Sequence, residues 1–274
     1  MSSPASKQLV VEIGGFPISL FTEDEHFWDL SRHSYQDFLS AGPAKFKLQL
    51  QILRDRTMSD DEVRVWREGD YWRLERGDFC VRWNPNSGSG QVQQNPFTYS
   101  LDSVLRIVHS LILAEQGGFL LHAASAVCDG SAYLFSGVSG AGKTTMTRLA
   151  PADATLLTDE ISYVRPGGSG YFGYGTPFVG ELAKPGKNCS APIRGLFFLE
   201  KGHENRIEML SPSESVRRLM QNILFFAQDR VLVEKLFETA CEFANQVPVR
   251  RLTFYPDSRV WDTIREFEGE PAHV

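Results

Sequence analysis

One glycine-rich segment constrains this chain more than any other feature. Residues 137–144 read GVSGAGKT and match the pattern G-x-x-x-x-G-K-[ST] at every fixed position. The apolar stretch 132–135 runs directly into the segment, and 144–149 has the pattern of a short helix that stops before Pro151. This strand–loop–helix order predicts an α/β domain.

The same segment predicts a site for nucleotide phosphates, with a coincidental glycine-rich turn as the alternative. Glycines allow successive backbone N–H groups to point at one centre, and the following helix presents further amides. Lys143 can reach the β- and γ-phosphates, and the hydroxyl of Thr144 suits Mg²⁺. The residues expected to hold the phosphates are Gly137, Val138, Ser139, Gly140, Ala141, Gly142, Lys143, Thr144 and Thr145.

Two adjacent carboxylates follow the glycine-rich segment closely. Asp159 and Glu160 end the apolar stretch 155–157, and only a short helix separates that stretch from Lys143. The short connection is expected to return both carboxylates to the phosphates, where one could hold Mg²⁺ and the other accept a proton. The alternative is a solvated acidic turn. His122 lies in an apolar strand ahead of the glycines, either as a core histidine or as a third site residue.

Composition and charge argue against several other classes of protein, namely nucleic-acid-binding, membrane-spanning and secreted proteins. The chain has 274 residues, of which 42% are hydrophobic and 23% charged, as in ordinary globular proteins. The net charge of −6 argues against a nucleic-acid-binding surface. There is no apolar run of about 18 residues to span a membrane and no secretory signal at the start. Four isolated cysteines form no CxxC pair, which favours reduced thiols and a cytoplasmic location.

The distribution of patterns predicts two domains. Residues 1–95 contain short strands, among them the strictly alternating 46–52, one helix at 23–39 and a flexible linker at 84–90. Residues 96–274 begin with a helix capped by Ser100 and then alternate strands and helices. The strands are expected at 119–123, 125–127, 132–135, 155–157, 161–164, 195–199 and 249–254, and the helices at 213–227, 231–244 and from 258 onward. Glycines at 167–170 predict a hairpin tip or a mobile flap.

His122, the segment 137–144 and the pair Asp159–Glu160, in this order, resemble the catalytic domain of the HPr serine kinase family. The resemblance covers about residues 119–200. It implies the P-loop fold that this family shares with phosphoenolpyruvate carboxykinases, with a mixed sheet, here preceded by a β-rich N-terminal domain. The family usually has two aspartates where this chain has Asp159 and Glu160, and the N-terminal domain differs. The chain therefore looks more like divergent relatives such as lasso-peptide kinases, which phosphorylate a serine of a precursor peptide.

The resemblance also implies roles for individual residues. Asp159 would be the general base, with His122 hydrogen-bonded near it and near the γ-phosphate. Glu160 and Thr144 would bind Mg²⁺, and Glu181 resembles a further acidic metal ligand of related kinases. Lys143 would offset the charge on the transferring phosphoryl group. Arg194 is a candidate for the same task, with a solvated arginine at a strand start as the alternative.

The expected activity is therefore an ATP- and Mg²⁺-dependent kinase. Its acceptor would be a hydroxyl, with serine first, of a peptide, a protein or a small molecule, and the resemblance implies a homo-oligomer. The β-rich N-terminal domain would serve recognition or assembly. Two alternatives remain open: a nucleotide-binding regulatory or scaffold protein without phosphotransfer, and a carboxykinase-like lyase.

Overall fold

The computed structural model describes residues 6–59 and 61–269. It shows an α/β protein whose two compact units are both β-rich and built on mixed sheets. The first unit comprises residues up to 115 together with 225–233, and the second comprises 116–224 and the chain from 234. The division after Glu115 falls later in the chain than the predicted boundary at 95. Within the described ranges, no helix has the length and apolar character needed to cross a membrane.

The first unit contains a seven-stranded sheet and two α-helices. Its elements are β1 (Lys7–Ile13), β2 (Phe16–Thr22), α1 (Glu25–Ser34), β3 (Phe46–Ile52), β4 (Arg64–Glu68), β5 (Tyr71–Arg76), β6 (Phe79–Asn84), β7 (Ser89–Gln94) and α2 (Thr98–Glu115). The strand order is β1-β2-β3-β7-β6-β5-β4, and the β2–β3 and β3–β7 pairs are parallel. Strands β4 to β7 form an antiparallel meander. The alternation in β3 is confirmed, because its apolar side chains are buried and its polar ones exposed.

Three local predictions in this part of the chain were wrong. The expected linker at 84–90 is the hairpin between β6 and β7, where the side chain of Asn84 accepts hydrogen bonds from the backbone N–H groups of Asn86 and Ser87. Ser100 is not a helix cap but lies inside α2, and its hydroxyl donates to the buried Asp78. The helix predicted at 23–39 ends at Ser34, and a 3₁₀ turn at Gln36–Phe38 follows.

The second unit contains a nine-stranded sheet, three helices and most of a fourth helix, whose residues 230–233 belong to the first unit. Its elements are β8 (Phe119–Cys128), β9 (Ser131–Ser136), α3 (Lys143–Arg148), β10 (Thr155–Thr158), β11 (Ile161–Gly167), β12 (Gly170–Tyr174), β13 (Ser190–Lys201), β14 (Arg206–Met209), α4 (Pro212–Asn222), β15 (Ile223–Leu224), α5 (Arg230–Gln246), β16 (Val249–Phe254) and α6 (Arg259–Gly269). The two strands expected at 119–123 and 125–127 are the single strand β8. The hairpin tip expected at 167–170 is confirmed between β11 and β12. Helix α4 ends earlier than predicted because Ile223 and Leu224 pair with β8 instead.

The sheet of the second unit brings two strand ends to the glycine-rich segment. Strand β8 pairs with β9, β10 and β11, so the residues that follow β9 and β10 both lie beside it. Strand β9 is parallel to β13, which is parallel to β16. One face of these strands packs in an apolar core, where the rings of Phe135 and Trp261 lie 5.3 Å apart between centroids. Ala141 of the glycine-rich segment and Met146 of α3 are part of this core, which therefore supports both the segment and the helix.

Candidate functional site

The glycine-rich segment forms a tight loop between β9 and α3. The backbone of Gly140 and Gly142 adopts positive φ angles of 74° and 111°, and the amide of Ala141 donates to the carbonyl of Val138 at 3.0 Å. At Gly142 a side chain is excluded twice over, because a Cβ atom would lie 2.5 Å from the ring of Phe254. The sequence therefore dictates the loop path through backbone conformation as well as through packing.

Helix α3 is short, and the core fixes its position. The side chain of Met146 is fully buried, and the indole N–H of Trp261 donates to the Met146 carbonyl at 3.1 Å. The N–H of Met146 donates to the carbonyl of Gly142 at 2.9 Å. These contacts hold the loop and the first turn of α3 against the core, and they thereby fix the backbone positions of Lys143 and Thr144.

The ammonium group of Lys143 folds back over the loop. Its Nζ atom lies 3.0 Å from the carbonyl oxygen of Gly137 and 3.4 Å from that of Val138. Partial burial lowers the pKa of Lys143, while the negative charges of Glu160 and Glu181 act in the opposite direction. The ammonium group of Lys143 is therefore near the carboxylates of Glu160 and Glu181.

Asp159 occupies the turn after β10. The Thr158 hydroxyl accepts hydrogen bonds from the N–H groups of Glu160 and Ile161, both at 3.2 Å, which ends the strand and turns the chain. The carboxylate of Asp159 is only 3% exposed and accepts the backbone N–H groups of Gly180 at 2.9 Å and Leu182 at 2.7 Å. Asp159 thereby fixes the segment after β12, a role that the sequence analysis did not predict.

Glu181 lies between these two amide donors and reaches the loop. Its Oε2 atom accepts a hydrogen bond from the Thr144 hydroxyl at 3.0 Å. The approach is close because residue 180 is glycine: a Cβ atom there would lie 2.9 Å from both Asp159 Oδ2 and Glu160 Cβ. The glycine before Glu181 in the sequence was the signal for this contact.

His122 faces the same region from β8. Its Cα pairs with that of Ile161 across the sheet, and its carbonyl accepts the hydroxyl of Ser136 at 2.9 Å. Partial burial lowers the pKa of His122 below its ordinary value of 6.5, and the positive charge of Lys143 lowers it further. The imidazole is therefore neutral at pH 7, when it has one donor and one acceptor nitrogen.

These groups surround one cavity of about 280 Å³. Of the predicted site residues, Gly137, Val138 and Ala141 form the frame of the loop and do not line this cavity. The cavity is lined by His122, Ser139, Gly140, Gly142, Lys143, Thr144, Thr145, Asp159, Glu160, Gly180 and Glu181.

Arg194 does not belong to this cavity, contrary to the expectation that it neutralises phosphate charge. Its neighbours in β13 pair with the beginning of β9, at Ala132 and Tyr133, whereas the loop follows the end of that strand. At about 3.3 Å per residue, a position between Ala132 and Tyr133 lies roughly 15 Å before Gly137 along the strand. Its guanidinium instead pairs with Glu268 at 2.8 Å. The sequence showed the arginine at a strand start but not the register of that strand.

The donor set at the cavity fits a hard divalent cation only in part. The chain offers the Thr144 hydroxyl and the carboxylates of Glu160 and Glu181, all of them oxygen ligands. Across 6–59 and 61–269, no group of three or more His, Cys, Asp and Glu side chains could hold a metal on its own. A cation here would therefore need further oxygen atoms, such as those of a phosphate or of water.

Comparison with known proteins identifies a family for the region that contains the cavity. No curated protein matches the chain. The family model of the SynChlorMet cassette protein ScmC matches residues 91–267, which is more than half of the chain and includes every residue that lines the cavity. The chain belongs to the ScmC family of SynChlorMet cassette proteins.

Proposed function

We propose that the chain is an ATP- and Mg²⁺-dependent kinase that transfers the γ-phosphoryl group to a hydroxyl of a peptide, a protein or a small molecule, with serine as the first acceptor to test. One observation carries the proposal. A glycine-rich loop, the ammonium group of Lys143 and three carboxylates face a single cavity in the second unit. The ordered resemblance of His122, the loop and Asp159–Glu160 to HPr serine kinases supports the same activity.

The loop and Lys143 would hold the phosphates. The positive φ angles of Gly140 and Gly142 are those of a backbone turn that can direct N–H groups at an anion. Lys143 would exchange its bonds with the carbonyls of Gly137 and Val138 for phosphate oxygens. In such sites the lysine contributes as a point charge and the loop amides as fixed dipoles, so both stabilise charge that develops during transfer.

The charge balance of the cavity requires a cation. Three carboxylates outnumber the one ammonium group, and His122 is neutral at pH 7, so an unaccompanied polyphosphate would be repelled. Thr144, Glu160 and Glu181 provide oxygen ligands on the loop side of the cavity. These three residues would hold Mg²⁺, which would supply positive charge to offset that of the phosphates.

Asp159 would orient and deprotonate the acceptor. The two backbone amides occupy one lone pair on each of its oxygens, and each oxygen retains a second one for a hydroxyl proton. The acceptor oxygen would bond to the γ-phosphorus as the bond from that phosphorus to the β,γ-bridging oxygen breaks. The hydroxyl proton would pass to Asp159, and ADP would leave. His122 could donate a hydrogen bond to a γ-phosphate oxygen.

Radiolabelled phosphate transfer tests this proposal. The protein, [γ-³²P]ATP and Mg²⁺ are incubated with a library of serine-containing peptides, and labelled peptides are separated and counted. Transfer is expected from the unchanged chain and lost in Asp159→Asn. Because that variant keeps an oxygen for only one of the amides of Gly180 and Leu182, its Mg²⁺-dependent binding of ATP is expected to weaken but to persist. Asp153→Asn is the matched control because that side chain is exposed in the loop before β10.

Two outcomes would contradict the proposal at different points. Full transfer by Asp159→Asn would refute the role of Asp159 as the base. Binding of ATP without transfer to any peptide or small-molecule alcohol would favour a nucleotide-binding regulatory protein instead.

A further inference from the structure

The outward face of the sheet in the first unit carries a row of side chains that crosses five adjacent strands. Cross-strand pairing from β4 through β5, β6 and β7 to β3 gives the order Trp66, Arg73, Arg82, Gln91 and Gln49. Neighbouring residues of a strand point to opposite sides of a sheet, so the row lies opposite the buried apolar side chains of the same strands. At about 4.8 Å between strands, the row is roughly 19 Å long.

A cavity of about 320 Å³ lies along this row. Its lining includes two arginines and four exposed glutamines, namely Arg73, Arg82, Gln49, Gln51, Gln91 and Gln93. The side-chain amide of Gln93 donates to that of Gln51 at 2.9 Å, whereas the side chains of Gln49 and Gln91 make no hydrogen bond with any residue in the described ranges. Because each glutamine amide has both donors and acceptors, the cavity offers the two kinds of group side by side.

The two arginines of the row lie directly opposite each other. Arg73 and Arg82 are cross-strand partners in β5 and β6, a position in which like charges destabilise a sheet. Arg82 stacks on the ring of Tyr71 at 3.6 Å, and its guanidinium has no hydrogen bond or ion pair among residues 6–59 and 61–269. The Nε atom of Arg73 is buried without a hydrogen-bond partner, and its ion pairs with Glu68 and Glu75 are 3.7 and 3.9 Å long. The pair therefore retains donors for an anion.

The face is positive although the whole chain has a net charge of −6. The outward positions of the five strands carry four basic and two acidic side chains, namely Lys47, Arg64, Arg73, Arg82, Glu68 and Glu75. Glu75 lies 3.4 Å from Arg64 and 3.9 Å from Arg73, so its one charge is shared between two arginines. The positive charge beside the glutamines is therefore incompletely balanced.

We propose that this face binds an extended acidic segment of a peptide or protein. A glutamate or aspartate of the segment would contact Arg82 and Arg73, since the guanidinium fork matches a carboxylate. The glutamines favour a peptide over an inorganic anion, because their amide oxygens can accept hydrogen bonds from peptide N–H groups and an anion would use only the donors. About six extended residues would cross the row, and an apolar side chain at one end could lie on Trp66, which is 38% exposed.

This proposal does not depend on the phosphate site. Every residue that carries it lies in the first unit, whereas the cavity at the glycine-rich loop belongs to the second. Failure of ATP binding would therefore leave it standing, and its own failure would leave the proposed kinase activity standing.

Two matched synthetic peptides test the proposal on the full chain. Each has ten residues: one alternates glutamate with threonine, which places all carboxylates on one side of an extended chain, and the other has glutamine in place of glutamate. Binding of the labelled peptides is followed by fluorescence anisotropy. The glutamate peptide is expected to bind at least about tenfold more tightly, as expected for hydrogen bonds between charged groups.

Substitutions of exposed arginines provide the second arm. Arg82→Gln should weaken binding of the glutamate peptide at least about tenfold. Arg67→Gln is the matched control, because Arg67 is also exposed and stacked on a ring, that of Trp72 at 5.2 Å, but leaves β4 on the other side of the sheet from Trp66. In Arg82→Glu, a third peptide with lysine in place of glutamate should bind more tightly than the glutamate peptide.

The proposal is overturned if the glutamate peptide binds no more tightly than the glutamine peptide, if Arg82→Gln and Arg67→Gln have the same effect, or if Arg82→Glu does not reverse the preference. A ten-nucleotide oligothymidine is the probe for a different partner. If it binds more tightly than the glutamate peptide and this binding is lost in Arg82→Gln, the face belongs to a nucleic acid and the proposal is overturned as well.

Discussion

Thr144 donates a hydrogen bond of 3.0 Å to Glu181, a residue 37 positions later in the chain. The contact joins the first turn of α3 to the segment after β12, whose backbone is bonded on either side of Glu181 to Asp159. The two oxygen groups expected to share a cation are therefore already adjacent, and the base candidate holds one of them in place.

Removing the charge of Glu181 while keeping its hydrogen bond tests the cation site. In Glu181→Gln the side-chain oxygen can still accept the Thr144 hydroxyl, so the loop should keep its position. The apparent affinity for Mg²⁺ in the presence of ATP should fall at least about tenfold, because a charged oxygen ligand is lost. The measurement is a Mg²⁺ titration of ATP binding, with the exposed Glu204→Gln as the control. Equal Mg²⁺ affinities for Glu181→Gln and the unchanged chain would remove Glu181 from the site.

A methyl group at residue 180 should push the segment that carries Glu181 away from Asp159 and Glu160 without removing any functional group of the site. The Cβ atom of Gly180→Ala would lie 2.9 Å from Asp159 Oδ2, so the segment must shift. We expect a loss of about 1–3 kcal/mol in the free energy of unfolding, in the range of other overpacked substitutions, and weaker Mg²⁺-dependent binding of ATP. Gly168→Ala, whose Cβ would meet nothing within 4 Å, should change neither. Urea denaturation and ATP titration of both variants measure the difference, and identical behaviour would contradict the close approach.

Arg194→Ala should leave nucleotide binding unchanged. The guanidinium pairs with Glu268 at the other end of β9 from the loop, and the Arg194 side chain is 53% exposed. Loss of such a pair is expected to cost at most about 1 kcal/mol of stability. ATP titration and thermal unfolding of the variant measure both quantities. A large loss of ATP affinity would restore Arg194 to the phosphate site.

A buried histidine in the first unit should make stability depend on pH. Complete burial lowers the pKa of His109 from its ordinary value of 6.5 to about 3. Between these values the unfolded chain binds a proton that the folded chain does not, so stability rises with pH and is lost as pH falls below 6.5. The slope from this one group approaches about 1.4 kcal/mol per pH unit well below pH 6.5, and the loss of stability between pH 6.5 and 5.5 is about 1 kcal/mol. Urea unfolding at pH 6.5 and 5.5 should show a smaller loss in His109→Gln than in the unchanged chain; equal losses would contradict the assignment.

Local sequence patterns predicted most of the helices and strands. The elements that were predicted wrongly are those whose structure depends on pairing with residues distant in the sequence. The alternation of β3 and the helix after the glycine loop depend on neighbouring residues, and both appear as expected. The residues at 84–90 have the composition of a linker, but β6 and β7 pair on either side of them. Ile223 and Leu224 extend a helical pattern, yet they gain strand partners in β8 from a hundred residues away.

The residues of the candidate site also fall into those that the sequence predicted and those that it did not. Short connections brought His122, Lys143 and Asp159 together, because β8, β9 and β10 are neighbours in both sequence and sheet. The amides of Gly180 and Leu182 could not be predicted, since backbone groups leave no trace in residue type beyond the glycine itself. The expectation that Arg194 neutralises phosphate was wrong because the residue types in β13 do not show its register with β9. In the structure the start of β13 lies beside the start of β9, and the loop follows the end of β9.

Titration of a fluorescent ATP analogue into the protein, with and without Mg²⁺, tests the central claim most directly. The unchanged chain should bind the analogue saturably and only when Mg²⁺ is present, because the three carboxylates otherwise repel it. Lys143→Ala should weaken binding at least about tenfold, as expected for the loss of a charged phosphate contact. Absence of saturable binding, or an equal affinity in Lys143→Ala, would contradict the account.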